Sequence, residues 1–79
     1  MDTKQVTIYS TPSCHFCKAA KEFFGANNIQ YTEYNVAGDL EKRKEMIEKS
    51  GQMGVPVITV GSDLVVGFDE DRLKELLAV

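Results

Sequence analysis

Val6-Thr7-Ile8-Tyr9-Ser10-Thr11-Pro12-Ser13-Cys14-His15-Phe16-Cys17 runs from a strand-forming segment through a turn into a pair of cysteines. Residues 6–9 are β-branched or aromatic and Ser10-Thr11-Pro12-Ser13 is turn-forming, so a strand is predicted over 6–9. Beyond it, Phe16, Ala20, Phe23 and Phe24 fall at i, i+4, i+7 and i+8, the apolar stripe of a helix. Ser13 is the expected N-cap of that helix, and Asn27-Asn28 offers a left-handed stop. Gly25 inside it costs about 1 kcal/mol relative to alanine, and the sequence supplies no reason for it.

A second strand is predicted over 31–36, with Thr32, Tyr34 and Val36 on one face. Asp39 is placed to cap a second helix that runs to about Ser50 and closes at Gly51. Its apolar set is thin: Leu40, Met46 and Ile47. Glu45 and Lys49 stand at i,i+4 spacing among other charges, so the helix reads as a surface element with a narrow buried edge. Residues 57–60 are nearly all apolar, as in a strand covered on both faces. Gly61-Ser62-Asp63 reads as a hairpin turn and 64–66 as the return strand. Asp69 is the expected cap of a last helix, with Leu73, Leu76 and Leu77 facing inward. The order is β-α-β-α-β-β-α. Its β-α-β start implies two parallel strands joined by a right-handed crossover, and its end adds an antiparallel hairpin and a helix. The expected fold class is α/β: one mixed four-stranded sheet flanked by three helices, in a single domain over 1–79.

Composition bounds the function. A chain of 79 residues has room for one core. Hydrophobic residues make up 43% and charged residues 27%, a balance that argues against a disordered segment or a fibre. The net charge of -3, with no basic stripe, argues against nucleic acid as a partner, because neutralising phosphates supplies most of that affinity. No apolar run approaches the ~20 residues of a membrane span, and residues 1–5 show no hydrophobic stretch of the signal-peptide kind. A cytoplasmic monomer is expected. In a reducing compartment thiols stay reduced, so Cys14 and Cys17 are candidates for redox or metal chemistry rather than for a structural disulfide.

The position of the pair decides between those chemistries. With Ser13 as cap, Cys14 is the first helical residue. Its sulfur then faces unpaired backbone N–H groups and the positive end of the helix dipole, both of which favour a thiolate. Cys17 follows just under one turn later, close enough to close a disulfide. Cys14 is therefore the candidate nucleophile and Cys17 the resolving thiol. A structural zinc site wants four ligands, and two cysteines and one histidine fall short of that in one chain. Two buried, inert cysteines are the other alternative. The redox reading is preferred because the motif follows a strand and opens a helix within a β-α-β unit. His15 differs from Cys14 by about 100° in helical direction, so it is expected to be exposed and to tune the thiolate only through occasional positive charge. Lys18 and Lys21 read as a solvated helix face that could add positive potential. Phe16 is expected at the core or at the rim of the active-site surface. The binding and metal chemistry of the rest of the chain shows no further motif, and no metal ligands are assigned.

Residues 9–17, Tyr-Ser-Thr-Pro-Ser-Cys-His-Phe-Cys, resemble the active-site segment of a glutaredoxin. Glu45-Met46-Ile47-Glu48-Lys49-Ser50-Gly51, running into Val55-Pro56-Val57-Ile58, is similar to the glutaredoxin segment that ends in Thr-Val-Pro. Val66-Gly67-Phe68-Asp69 resembles the Gly-Gly-x-Asp segment. The three landmarks occur in family order and spacing over about residues 5 to 77. The resemblance implies the thioredoxin fold, which agrees with the element order above. It implies that the Val55–Pro56 bond is cis and lies beside the cysteines, with the Val55 backbone turned toward an incoming thiol peptide in the manner of strand addition. It also implies that Gly67, Phe68 and Asp69, at the start of the last helix, hold the γ-glutamyl carboxylate of glutathione.

The chain departs from that pattern at several positions. Thr11 stands where the family carries a lysine, Gln52 where an arginine often follows Ser-Gly, His15 at the usual proline and Val66 at the first glycine. Two missing cations weaken the expected hold on glutathione, because charge-assisted bonds are the strong ones. Gly67-Phe68 also resembles redoxins that serve ribonucleotide reductase and draw electrons from thioredoxin reductase. The expected function is a dithiol–disulfide oxidoreductase with no bound cofactor, taking glutathione as co-substrate and disulfide-containing proteins as partners. The first rival is a redoxin reduced by a thioredoxin-reductase-type flavoprotein. The second is an iron–sulfur or metal carrier, formed by two copies joined through Cys14 and glutathione, which colour and absorbance of the fresh protein would reveal. A redox-independent binding module is the third, and no feature of the sequence supports it.

Overall fold

Strand alternation assigns the two faces of the sheet. In the computed structural model, which describes residues 5–78, Val6 and Ile8 of β1 (Val6–Ser10) look toward one side and Thr7 and Tyr9 toward the other. Residues 1–4, read above as lacking a signal-type apolar stretch, lie outside the described residues. The chain continues through α1 (His15–Ala26), β2 (Thr32–Asn35), α2 (Leu40–Ser50), β3 (Val57–Val60), β4 (Asp63–Val66) and α3 (Glu70–Leu77). Strand order is β2-β1-β3-β4. β1 pairs parallel with β2 and antiparallel with β3, and β3 pairs antiparallel with β4. This is the mixed four-stranded sheet with three helices that the sequence predicts.

The helices divide between the faces. Ala20 and Phe24 of α1 and Leu73 of α3 pack on Val6, Ile8, Ile58, Val60 and Val65, with Phe23, Phe68, Leu76 and Leu77 half-buried around them. On the opposite face, Met46 of α2 packs on Tyr9, Val36 and Val57. Burying each large apolar side chain contributes roughly 1.5–3 kcal/mol, and β3, apolar on both faces, receives contacts from both clusters. The Tyr9 hydroxyl reaches this second core and donates to the Glu45 carboxylate, which satisfies a polar group that burial would otherwise penalise. Burial and the Glu45 charge together push the Tyr9 hydroxyl above its ordinary range.

Helix ends are as expected in four places. The Asp39 carboxylate accepts the Lys42 N–H at 3.1 Å, and Gly51 ends α2 at φ 74°, a conformation that glycine reaches without penalty. The Asp69 carboxylate accepts the Arg72 N–H at 3.1 Å. Asn28 takes φ 55° after α1.

Other expectations are corrected. Leu40 is 75% exposed and joins no core, and Phe16, 60% exposed, leaves the apolar stripe and takes the rim rather than the core position of the two expected for it. In α1 the inward stripe is Cys17, Ala20 and Phe24, because the small thiol, not the phenyl ring, meets the sheet. Leu40 sits in the first turn of α2, ahead of the point where Met46 meets the sheet. β2 spans four residues rather than six, and its Thr32 is exposed. It is an edge strand, with a neighbour on one side only, so alternation there buries little. Val60 faces Asp63, which leaves Gly61-Ser62 as a two-residue turn and puts Asp63 in the strand. Gly61 takes φ 61°, as tight hairpins require. Glu45 is held by Tyr9 and by Lys42 at 3.4 Å rather than by Lys49. Gly25 lies in open space where a Cβ would meet nothing, and nothing in the structure explains it.

Candidate active site

Register brings three distant segments to one end of the sheet. Tyr9 faces Val57 across β1 and β3, and Val57 faces Val66 across β3 and β4. The next residues outward are Ser10, Pro56 and Gly67. The Gly67 N–H donates to the Pro56 carbonyl at 2.8 Å, continuing the ladder by one bond. Thr11 to Cys17, Val55–Pro56 and Gly67 to Asp69 therefore gather around the same end of the sheet. The Val55–Pro56 peptide bond is cis.

The helix cap differs from the sequence expectation. Cys14, not Ser13, is the N-cap of α1, with extended backbone at φ -83° and ψ 116°. Its Sγ accepts the Cys17 N–H at 3.1 Å. A sulfur thus takes the place that a serine oxygen usually holds, because Thr11 to Ser13 are used to close the preceding turn: the Cys14 N–H donates to the Thr11 carbonyl at 3.3 Å. An orphan N–H and the positive end of the helix dipole both point at Cys14 Sγ.

The two cysteines are free thiols in unequal settings. Cys14 is half-buried, whereas Cys17 is fully buried. Burial, first, and a hydrogen bond to Cys14, second, push the Cys17 thiol up to about 12. A Thr11 backbone hydrogen bond and the Lys21 charge pull it back in part. Cys17 therefore holds its proton at neutral pH, beside a cysteine that is only half-buried. An accessible sulfur with a backbone donor, backed by a protonated thiol three residues on, can perform attack and then release.

The remaining candidates fall into two groups. Thr11 touches the pair through its main chain. His15 is exposed and its ring stands edge-on to Phe16 at 5.6 Å, so it lies at the rim with Phe16. Lys21 departs from its reading as a solvated face. Its Nζ is 2.8 Å from Glu33 Oε2, and that same oxygen accepts the Ser10 hydroxyl at 2.9 Å. Ser10 is buried, and the acceptor it needs comes from the edge strand. The Lys21 ammonium holds the Glu33 carboxyl below its usual range. Lys18 is exposed.

Val55 is half-buried against the Tyr9, Val36, Met46 and Val57 cluster. Among the described residues neither its N–H nor its C=O is hydrogen-bonded. Gly67 turns the chain at φ 84°. Phe68 packs edge-on to Phe23 at 6.0 Å and against the first core, so its side chain braces the segment. Asp69 is exposed and caps α3. Among the described residues no group of three or more His, Cys, Asp or Glu side chains is arranged to hold a metal ion, and no helix is long and apolar enough to cross a membrane.

Sequence reasoning missed Glu33 and Gln52. The Glu33 partners lie 12 and 23 residues away, with no local signal. The sequence marks Gln52 only as a lost cation, whereas its amide folds back on Gly54.

The Glutaredoxin family pattern matches residues 6–65. The glutaredoxin-like 8.6 kDa protein of the rubredoxin operon of Clostridium pasteurianum is 42% identical over 72 residues, covering 91% of this chain and 96% of that one. The crystal structure of a glutaredoxin from Archaeoglobus fulgidus superposes with a TM-score of 0.87 at 25% identity, over 96% of this chain and 88% of that one. The glutaredoxin-like NrdH-redoxin of Escherichia coli, described as thioredoxin-like in activity profile, has a TM-score of 0.80 at 26% identity, over 91% and 93% of the two chains. The fold is the thioredoxin fold.

Proposed function

The chain belongs to the glutaredoxin family of thiol–disulfide oxidoreductases, and we propose that it reduces protein disulfides and glutathione mixed disulfides through Cys14 and Cys17. The observation that carries this reading is the inequality of the two thiols: one accessible and served by a backbone N–H, the other buried and protonated.

The Cys14 thiolate attacks one sulfur of a substrate disulfide. A mixed disulfide forms, and the other substrate sulfur leaves as a thiolate that takes up a proton. Cys14 Sγ then carries no negative charge. Its hydrogen bond and charge are two of the influences that hold the Cys17 proton in place, so bonding Cys14 loosens that proton. Cys17 loses it, attacks Cys14 Sγ and expels the second substrate thiol. The product is a Cys14–Cys17 disulfide, and two electrons have passed to the substrate. Val55 would pair its free backbone groups with the substrate chain, beside Pro56. Gly67, Phe68 and Asp69 would form the glutathione end. The domain acts as a cytoplasmic monomer with no bound organic cofactor.

A second reading, reduction by a thioredoxin-reductase-type flavoprotein, is favoured by the uncharged Thr11 and Gln52 and by the similarity to NrdH-redoxin. One experiment separates the two. Turnover of a single disulfide substrate is measured with glutathione and its reductase, and again with thioredoxin reductase. Glutathione-driven turnover supports the first reading. Turnover with thioredoxin reductase alone transfers the assignment to the second, and none with either refutes the oxidoreductase reading.

A further inference from the structure

The loop ahead of the cis bond is closed by a side chain that the thiol chemistry does not use. The Gly54 N–H donates to Gln52 Oε1 at 2.6 Å, and Gln52 Nε2 donates to the Gly54 carbonyl at 3.1 Å. One carboxamide thus satisfies both backbone groups of one residue, as a neighbouring strand would. A Cβ at Gly54 would stand 2.7 Å from Gln52 Oε1, so the clasp needs glycine there. The base of Gln52 is itself anchored. The Ser50 hydroxyl lies 2.8 Å from the Met46 carbonyl and 2.9 Å from the Gln52 carbonyl, and it accepts the Gln52 N–H at 3.3 Å. Met46 is fully buried, so the anchor reaches the core.

We propose that Gln52 is a positioning residue: by occupying both backbone groups of Gly54, its carboxamide closes the residue before Val55 and leaves the Val55 backbone pair, next to the cis bond, for an incoming disulfide-bearing peptide to join. An exposed glycine released from the clasp would be free to turn, and its N–H and C=O would compete with those of Val55 for the substrate. Each polar end of Gln52 already makes one bond within the loop, which holds the side chain against Gly54. This inference rests on the oxidoreductase reading of the preceding section.

The test compares wild type, Gln52→Ala, Gln52→Glu, Gly54→Ala and the Gln52→Ala/Gly54→Ala double variant on a peptide disulfide. Gln52→Ala should raise KM about three- to tenfold, the scale of one or two solvent-facing hydrogen bonds, with kcat and the rate of Cys14 alkylation within about twofold. Gln52→Glu keeps the acceptor for the Gly54 N–H but at neutral pH cannot donate to the carbonyl, so its KM should fall between. Gly54→Ala should raise KM in the wild-type background and add little once Gln52 is alanine, because the clashing oxygen is gone. Hydrogen exchange at the Gly54 amide should speed up in Gln52→Ala. An unchanged KM, or KM, kcat and alkylation all worsening together, overturns the positioning role. No turnover by wild type overturns the oxidoreductase reading itself, and the role with it.

Discussion

The Cys17 N–H points at the Cys14 sulfur across 3.1 Å, so the residue that stays buried serves the one that does not. Exchanging the two cysteines for serine should expose this division. Cys14→Ser removes the attacking sulfur and should abolish dithiol turnover. Cys17→Ser should trap protein substrates as mixed disulfides, because nothing resolves them, while activity on glutathione mixed disulfides is retained. Mass mapping after brief iodoacetamide treatment at mildly acidic pH should find Cys14 labelled first. Preferential labelling of Cys17 would reverse the assignment.

Alkaline stability should report the Cys17 proton. In the reduced protein the folded Cys17 thiol lies near 12 against 9.0 for a free thiol, so the folded state binds the proton more tightly. The stability this supplies is fully present below about pH 9 and is lost as pH rises through the folded value. Tyr9, also pushed up, adds loss of the same sign. Denaturant midpoints of the reduced protein should therefore fall above pH 9. Cys17→Ala should remove the loss that begins near pH 9 and leave the later, single-proton loss contributed by Tyr9. An identical alkaline limb in both proteins would remove Cys17 as its source.

Thr11 lacks the charge that the family pattern puts at its position. A charge-assisted hydrogen bond contributes about 1.5–3 kcal/mol, or roughly a tenfold to hundredfold change in affinity. Thr11→Lys should lower KM for glutathione mixed disulfides, with a gain that shrinks as salt rises, since exposed charges are screened. Steady-state turnover at two ionic strengths checks this, and a KM that does not move counts against the missing-cation argument.

Asp69 should show two effects on replacement by alanine. Loss of the bond to the Arg72 N–H costs about 1 kcal/mol of stability. If the helix start also holds glutathione, KM for glutathione mixed disulfides should rise while KM for a peptide disulfide stays level. Equal changes for both substrates would leave Asp69 as a cap alone.

The phenylalanines of α1 give a packing contrast. Phe24 is fully buried and Phe16 is 60% exposed. Phe24→Ala should cost about 3–5 kcal/mol and Phe16→Ala within about 0.5 kcal/mol, read from chemical denaturation. A large loss at Phe16 would mean that it packs more tightly than its exposure suggests.

What the sequence determines by itself is what rests on near neighbours. The β-rich run over 6–9, the nearly all-apolar run over 57–60, the caps at Asp39 and Asp69, the stop at Gly51 and the junction of strand, cysteine pair and helix all involve residues within a few positions of one another. Their signals survive in one dimension. The same locality misplaced the cap of α1: Ser13 has the better oxygen, but the Thr11–Cys14 turn hands the position to a sulfur. Tertiary structure alone decides which side of α1 meets the sheet, because the docking angle lets Cys17 and not Phe16 point inward. It alone pairs Tyr9 with Glu45, 36 residues away, and Ser10 with Glu33. It alone sets Val55–Pro56 beside Gly67, since the register of three strands, fixed by burying Ile58 and Val57 on opposite faces, determines which loops share an end of the sheet. Contacts of this kind depend on how whole elements pack, and no spacing along the chain encodes that.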